Sequence, residues 1–478
     1  MIFSKNYIFR YVTLIAALCC IMAFPSCEDE SFTSNPSAKV SFSTDTVSFD
    51  TVFTALPSST KRLMVYNKTG DNIRINKVEL RSSTNCFHVN LNGRSGDSFS
   101  DVEIMSGDSL HIFINVNVSE LNSDSPVQIL DSLVFIYNGN TQNVKLSTYG
   151  QDVKTLRKAV ISENTTFTRE RPYLIYDTLT VKEGVTLEIE SGTKLYFTNK
   201  ATLEVHGTLI AKGLSSHPVL IQGSRLDYLM PEIPYNRVPN QWGGIRFCSE
   251  SSNNIISGTI IKGGNFGIAV DSAAIDSSAY RLTIENSTIT CTKRGVLNVS
   301  NANVYAYNTL FANGGNTTIS LNGGLALFNH CTIAEYSASG RRYNSALGLH
   351  SYNNEIPLYA EFNNSIVYGS YLQEIEIETE ESDLVSFKFN HCLLKAAQSD
   401  SANFVNVIWN EDPMFKMETS KYQYDFSADS LSPMVNAGDT LIRVKYPDCQ
   451  YDINGNSRDS LPDIGAYEFV CLNKHEEP

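Results

Sequence analysis

Between Val40 and Tyr137 apolar residues alternate with polar ones in short runs: Val40/Phe42, Val47/Phe49, Leu63/Val65, Ile73/Ile75, Phe87/Val89/Leu91, Leu110/Ile112/Ile114/Val116/Val118 and Leu133/Phe135/Tyr137. A period of two puts alternate side chains on one face of a strand. Turn-forming Gly, Asn and Asp fall between the runs roughly every ten residues, the pattern of an antiparallel β-sandwich. The sequence therefore predicts an all-β N-terminal domain, an immunoglobulin-like β-sandwich over residues 39–153.

After Val153 the runs shorten and become evenly phased. Leu179/Val181, Leu187/Ile189, Leu195/Phe197, Leu203/Val205, Leu209/Ala211 and Val219/Ile221 are separated by Glu183-Gly184, Ser191-Gly192, Asn199, Gly207 and Gly213, leaving no room for helices. Further on a four-residue signature recurs as Asn286-Ser287-Thr288-Ile289, Asn308-Thr309-Leu310-Phe311, His330-Cys331-Thr332-Ile333, Asn364-Ser365-Ile366-Val367 and His391-Cys392-Leu393-Leu394, with steps of 22, 22, 34 and 27 residues. Gly258-Thr259-Ile260-Ile261 extends the series backwards by 28. Three short strands and three turns in about 22 residues make one coil of a parallel β-helix, and longer steps are coils carrying loops. Stacking would align Asn286 with Asn308 in an inward-turning amide ladder and place Cys331 and Cys392 in a column of small residues.

These signatures, with Trp242-Gly243-Gly244-Ile245-Arg246-Phe247, resemble the right-handed parallel β-helix, or pectin-lyase-like, superfamily. The closing segment strengthens the resemblance: Asp412-Pro413-Met414-Phe415, Ser432-Pro433-Met434-Val435-Asn436-Ala437-Gly438-Asp439, Asp452-Ile453-Asn454-Gly455 and Pro462-Asp463-Ile464-Gly465-Ala466-Tyr467-Glu468-Phe469 are similar to the last coils and cap of secreted bacterial members. The solenoid and its cap are expected over 154–470, followed by a tail at 471–478. The first domain is similar in pattern to the Hydin-like immunoglobulin-type modules that precede larger domains in secreted bacterial proteins.

The N-terminus sets the expected location. Lys5 and Arg10 precede an apolar run from Tyr11 to Phe24 that ends at Pro25-Ser26-Cys27, which reads as a secretory signal peptide over 1–27. The small residue before Cys27 resembles a bacterial lipobox, which implies lipid attachment at Cys27. Glu28-Asp29-Glu30 resembles the signal that sends Bacteroidota lipoproteins to the outer cell surface, and 28–38 reads as a tether. Tripeptides beginning at Asp45, Asp50, Asp108, Asp131, Asp177, Asp271, Asp400, Asp429, Asp439 and Asp459 resemble the O-glycosylation signal of that group, although a turn residue opening a strand gives the same string. The expected partners are an outer-membrane lipid anchor and a polysaccharide or an envelope protein.

Charge and cysteine content narrow the function. The 37 basic and 51 acidic residues give −14, and without Lys5 and Arg10 the balance deepens to −16. Such a chain repels polyanions on average and does not read as a nucleic-acid binder. No CxxC pair exists among its 10 cysteines, so a zinc site or disulfide scaffold is not expected.

Enzymes of the superfamily are polysaccharide lyases using calcium with Arg or Lys as base, or hydrolases using clustered aspartates. No Asp-Asp, Gly-His-Gly, Arg-Ile-Lys or Arg-x-Pro-x-x-Arg occurs, so no catalytic residue is carried over. Lys293-Arg294 and Arg341-Arg342 with His350 are candidate base and charge-neutralising groups, weighed against a solvated surface. The proline-stiffened insertion from Ser224 to Gln241, with Tyr228, Tyr235, Arg237 and the neighbouring Trp242, is the candidate carbohydrate site. Trp242 is weighed against a core position. The acidic run Glu374, Glu376, Glu378, Glu380, Glu381 and Asp383 reads as a solvated edge. Asp452, Asn454, Asn456 and Asp463 are weak calcium candidates, against a turn tied by side-chain hydrogen bonds; no other cofactor is expected. The leading expectation is a surface-anchored, non-catalytic lipoprotein whose β-helix binds a glycan or a partner. A polysaccharide lyase or glycoside hydrolase and a structural envelope spacer are the alternatives.

Overall fold

A computed structural model of the chain describes residues 31–81, 85–273, 279–336, 342–378, 384–419 and 423–470, so the leader, Cys27, Arg341, Glu380, Glu381, Asp383 and the tail lie outside the described residues. No helix among the described residues is long and apolar enough to cross a membrane. The chain divides into two compact units, one built from residues up to 48 with 58–117 and 129–148, the other from 49–57, 118–128 and 149 onward.

The N-terminal part carries two five-stranded sheets. In one, Lys61–Tyr66 pairs antiparallel with Ser109–Val116, which pairs antiparallel with Phe87–Leu91. In the other, Ile73–Leu80 lies antiparallel to Ser98–Ile104 and to Val127–Tyr137. Leu63, Val65, Ile73, Ile75, Val89, Ile112, Ile114, Phe135 and Tyr137 are buried, which is the alternation read from the sequence. The Tyr137 hydroxyl is satisfied inside: it accepts from Val40 N–H at 2.8 Å and donates to Gln142.

From Lys154 to Trp409 the described residues form a right-handed parallel β-helix of three sheets with eleven, nine and ten strands, each growing by one parallel strand per coil. One early coil runs Tyr173–Tyr176, Thr178–Val181, Thr186–Ile189 and returns at Lys194–Phe197. Stacked coils pair residue for residue, so inward side chains form columns. In the ten-stranded sheet one column reads Ile189, Ala211, Ile256, Ile284, Ala306, Phe328, Phe362, Phe389 and Phe404. Its four phenylalanines stack with centroids 5.0, 4.8 and 5.5 Å apart, close to the strand spacing of about 4.8 Å. Trp409 closes this end, 5.0 Å from Phe404.

The corner between the ten- and eleven-stranded sheets explains the signature. Asn286, Asn308, His330, Asn364 and His391 all have φ between 47° and 49°, the left-handed region that Asn and His tolerate better than other side chains. The next residue is small and ties its side chain to the carbonyl two residues back, as Ser287 to Glu285, Thr309 to Tyr307 and Ser365 to Asn363. Cys331 and Cys392 occupy the same position with 0% exposure, bonding Asn329 and Asn390 in the same manner. All six described cysteines are free.

One expectation is corrected here: the closing segment, expected as the last coils and their cap, lies along the flank of the eleven-stranded sheet. The Asn286–Asn308 rung of the ladder is present, with Asn308 Nδ2 donating to Asn286 Oδ1 at 3.3 Å, and two more follow: Asn364 Nδ2 to His330 Nε2 at 3.0 Å and Asn406 Nδ2 to His391 Nε2 at 3.1 Å. The closing segment also reads the ladder. Arg458 donates to Asn308 Oδ1 at 3.1 Å, His330 Nδ1 pairs with Asp463 O at 3.1 Å, and Asn364 exchanges two bonds with the backbone of Asp439. Phe426, Met434, Ile453, Ile464 and Ala466 cover Leu310, Ala312, Ala334, Ile366 and Leu393, the outward positions of the eleven-stranded sheet. A bare apolar face on those strands would be costly, and the segment removes it from water.

One fully buried ion pair fixes the segment. Arg458 Nη1 meets Glu468 Oε2 at 3.0 Å, with side-chain exposures of 0% and 5%. The guanidinium also donates to Gly465 O and Ala466 O. Burial lowers the guanidinium's affinity for its proton and raises that of the Glu468 carboxyl, while their mutual attraction opposes both effects. Replacing Arg458 by Met leaves Glu468 without its partner, so Arg458→Met should lower stability by about 3–5 kcal/mol in urea unfolding and expose the closing segment to proteolysis.

His330 supplies a pH dependence. Burial first, and the Arg458 charge second, hold its imidazole well below the usual value. The unfolded chain takes up a proton near pH 6.5 that the folded chain refuses, so stability is present above about 6.5 and is lost as pH falls below it. Asp463 and Glu468, raised by burial, carry the opposite sign at lower pH. The comparison with His330→Asn isolates the imidazole: urea midpoints of the wild type should fall between pH 7.5 and 5.5 more steeply than those of the variant.

Candidate functional site

The corner where the eleven-stranded sheet passes to the nine-stranded sheet carries two of the longer connections, one at 224–243 and one whose described residues are 336 and 342–346. Shorter turns at the same corner carry Arg294, Asn316 and Thr317. Together with outward side chains of the nine-stranded sheet they enclose a polar cleft of about 300 Å³, lined by Arg294, Asn298, Asn316, Thr317, Ser320, Asn344, His350 and Glu376.

Coil register makes its floor. Asn298, Ser320, Gly348 and Glu376 are successive partners in parallel strands and so form one outward column. Small residues in the middle of that column leave the depression. A Cβ at Gly348 would lie 2.6 Å from His350 Nε2, so the imidazole folds back across the glycine into the cleft. Gly295, at φ 136°, allows the Asn298 amide an equally close approach.

The rim is held by buried carboxylates. Glu335, 1% exposed, accepts from Gly314 N–H at 2.5 Å and Thr318 Oγ1 at 2.7 Å, which shapes the turn carrying Asn316 and Thr317. Glu374 is 0% exposed and takes Arg342 in a bidentate pair at 2.6 Å on both arms, while also accepting from Tyr371 and Ala346 N–H. The Arg342 guanidinium lies 4.0 Å from the Tyr371 ring centroid. This fork anchors the strand-to-strand insertion and sets Asn344 at the rim. Arg294 N–H is fixed to Asn265 O of the preceding coil at 2.8 Å.

The structure thus brings together Arg294 and His350 and adds Glu376, while it places Arg342 in the interior as an anchor. Glu374 is corrected from a solvated edge to a buried carboxylate; the strand that follows it, Ile375–Glu378, is nonetheless the last of its sheet. Asn298, Asn316, Ser320 and Asn344 went unnoticed in the sequence, because only the spacing of coils with unequal loops aligns them.

At the insertion 224–241, Tyr228 is 51% exposed, with Leu229 and Met230 similarly open. Tyr235 lies under the Arg225 guanidinium, 3.6 Å from its centroid, and Arg225 is paired with Asp227. Arg237 closes a short 3-10 turn with Tyr235. Trp242 is corrected: it is 1% exposed, stacks on Phe197 at 4.6 Å and donates Nε1–H to Lys262 O at 2.9 Å, so its ring presents nothing to a ligand.

The calcium candidates are tied by hydrogen bonds. Asp452 Oδ1 accepts from Asn454 and Asn456 N–H, and its Oδ2 from the Asn456 amide and Glu468 N–H. Asp463 accepts from Asn436 and Phe469 N–H. Oxygens surrounded by N–H donors suit a structural turn and not a cation, and no metal-ligand cluster occurs among the described residues.

No family model matches the chain. No curated protein matches its sequence. Among solved structures, the chain is similar to the catalytic unit of a thermostable GH87 α-1,3-glucanase from Streptomyces thermodiastaticus strain HF3-3, with 12% identity, 72% of each chain covered and a TM-score of 0.30. It is also similar to a family 123 glycoside hydrolase from Clostridium perfringens, studied for glycolipid glycan hydrolysis, with 9% identity, 24% of this chain covered and a TM-score of 0.18. The chain spans 30% of the length of that second structure.

Gly348→Ala tests the cleft geometry directly. The new methyl meets only the end of a side chain, so stability should change by no more than about 1 kcal/mol. The His350 ring should nevertheless leave the cleft, which a displacement of its ring resonances in NMR would report.

Proposed function

We propose that this chain is a non-catalytic carbohydrate-binding protein whose glycan lies along the outer face of the nine-stranded sheet. One observation carries the reading: a cleft of about 300 Å³ lined by amides, hydroxyls, one guanidinium, one imidazole and one carboxylate, floored by paired strands. Such groups match the dense hydroxyls of a sugar chain, and a fixed backbone avoids the ordering cost of binding. Near balance of charge in the cleft, within a chain of net −14, favours neutral or weakly charged glycans over polyuronates. Lipid attachment at Cys27, the tether and an immunoglobulin-like spacer module would hold the cleft away from an outer membrane.

A second reading rests on the meeting of Arg294, His350 and Glu376 in one cleft. A lyase needs a base and a charge-neutralising group, and Arg294 with His350 supplies that pair. A hydrolase needs two carboxylates, and among the described residues Glu376 is the one that lines the cleft.

On a glycan array the mature chain should be retained by a subset of neutral glycans, and Asn298→Ala or His350→Ala should weaken retention at least roughly tenfold while preserving the fold. New reducing ends or ultraviolet absorbance of unsaturated products on a polysaccharide panel would replace binding by catalysis. Silence on both would leave the spacer reading. Labelling with a fatty-acid analogue, lost in Cys27→Ala, tests the anchor.

A further inference from the structure

Away from the cleft, the coil register sets a thiol, an imidazole and a carboxylate in line. Val205 and Phe247 are partners in adjacent strands of the nine-stranded sheet, so the residues that follow them, His206 and Cys248, leave the sheet side by side. Cys248 Sγ lies 3.7 Å from His206 Nε2, and His206 Nδ1 lies 3.3 Å from Glu250 Oε2. The two ring nitrogens point in opposite directions, so the three groups cannot converge on one metal ion. They form instead a relay of nucleophile, base and orienting carboxylate.

We propose that Cys248 is a nucleophilic thiol that His206 activates for covalent addition to soft carbon electrophiles of the α,β-unsaturated carbonyl class. The carboxylate of Glu250 fixes the tautomer in which Nδ1 carries hydrogen and Nε2 faces the sulfur. Hydrogen bonds from its own backbone N–H first, then from Ser249 and His206, hold the Glu250 carboxyl below its ordinary value. Burial, with Asp271 adding to it and Arg246 opposing, raises the Cys248 thiol, so the thiol is protonated at rest and needs a base at the moment of attack.

In the addition, Nε2 takes the thiol proton as sulfur bonds to the β-carbon. The double-bond electrons move to the α-carbon, and the imidazolium returns the proton there. Nothing leaves and no oxidant is used. Acyl transfer fits less well, because it needs free donors for an oxyanion. Cys248 N–H is engaged by Val205 O at 2.9 Å, and Glu250 N–H by its own carboxylate. On the Glu250 side of the relay lies a cleft of about 240 Å³, lined by Ser249, Glu250, Tyr280, Arg281 and Asn303.

The full chain is treated with limiting N-ethylmaleimide and the labelled cysteines are mapped by peptide mass spectrometry. Cys248 should react at least roughly tenfold faster than the fully buried Cys331 and Cys392. His206→Ala should slow Cys248 by at least roughly tenfold, with recovery on adding free imidazole, and Glu250→Gln should slow it less. Continued protection of Cys331 and Cys392 shows that each variant is folded. Should a variant unfold, Cys248 labelling in the wild type decides the matter. Labelling of Cys248 no faster than Cys331, or unchanged in a folded His206→Ala, would overturn the proposal.

Discussion

In-register stacking of successive coils is the constraint from which the solenoid and its cleft follow. A single coil of about 22 residues has too little apolar surface to hold itself together, and it becomes stable only when each inward residue lies on its equivalent one coil away. The column from Ile189 to Phe404 shows the result: aliphatic and small residues give way to four stacked rings without a change of register. The same register aligns outward residues. Asn298, Ser320, Gly348 and Glu376 share a column because their coils are stacked, although 22, 28 and 28 residues separate them along the chain.

The second consequence concerns polar groups. A corner with φ near 48° selects Asn and His, and their side chains then need partners. The closing segment supplies these at Asn308, His330 and Asn364, and its own buried Arg458 and Glu468 are satisfied against the same flank. Stability of the segment and satisfaction of the ladder are thus one problem solved jointly, since a buried donor or acceptor left alone costs about 1–3 kcal/mol. On the other edge, Glu335 and Glu374 play a comparable part for the rim of the cleft. Buried carboxylates there fix surface loops and leave the exposed groups to face a ligand.

How much was legible follows from what kind of information each feature uses. The period of two, the 22-residue repeat and the Asn/His corner are local patterns, and the strands appeared where they pointed. The covering of the eleven-stranded sheet also had a local trace: Thr288-Ile289-Thr290 is apolar on one face, whereas Leu310-Phe311-Ala312 and Ile366-Val367-Tyr368 are apolar on both. Arg294 and His350 are candidates by side-chain chemistry and by their place in the repeat, but nothing in their spacing joins them.

What the sequence determined by itself was the all-β class, the solenoid and its coil length, because side-chain periodicity and turn chemistry act over a few residues. Only the tertiary structure decided which distant residues meet. Arg342 became an anchor and Arg294 a cleft residue, Trp242 went into the core, and Asp452 became a hydrogen-bond acceptor of the flank. Each outcome depends on loop lengths and on which face a neighbouring coil or the closing segment covers, and those are long-range contacts that no local pattern encodes.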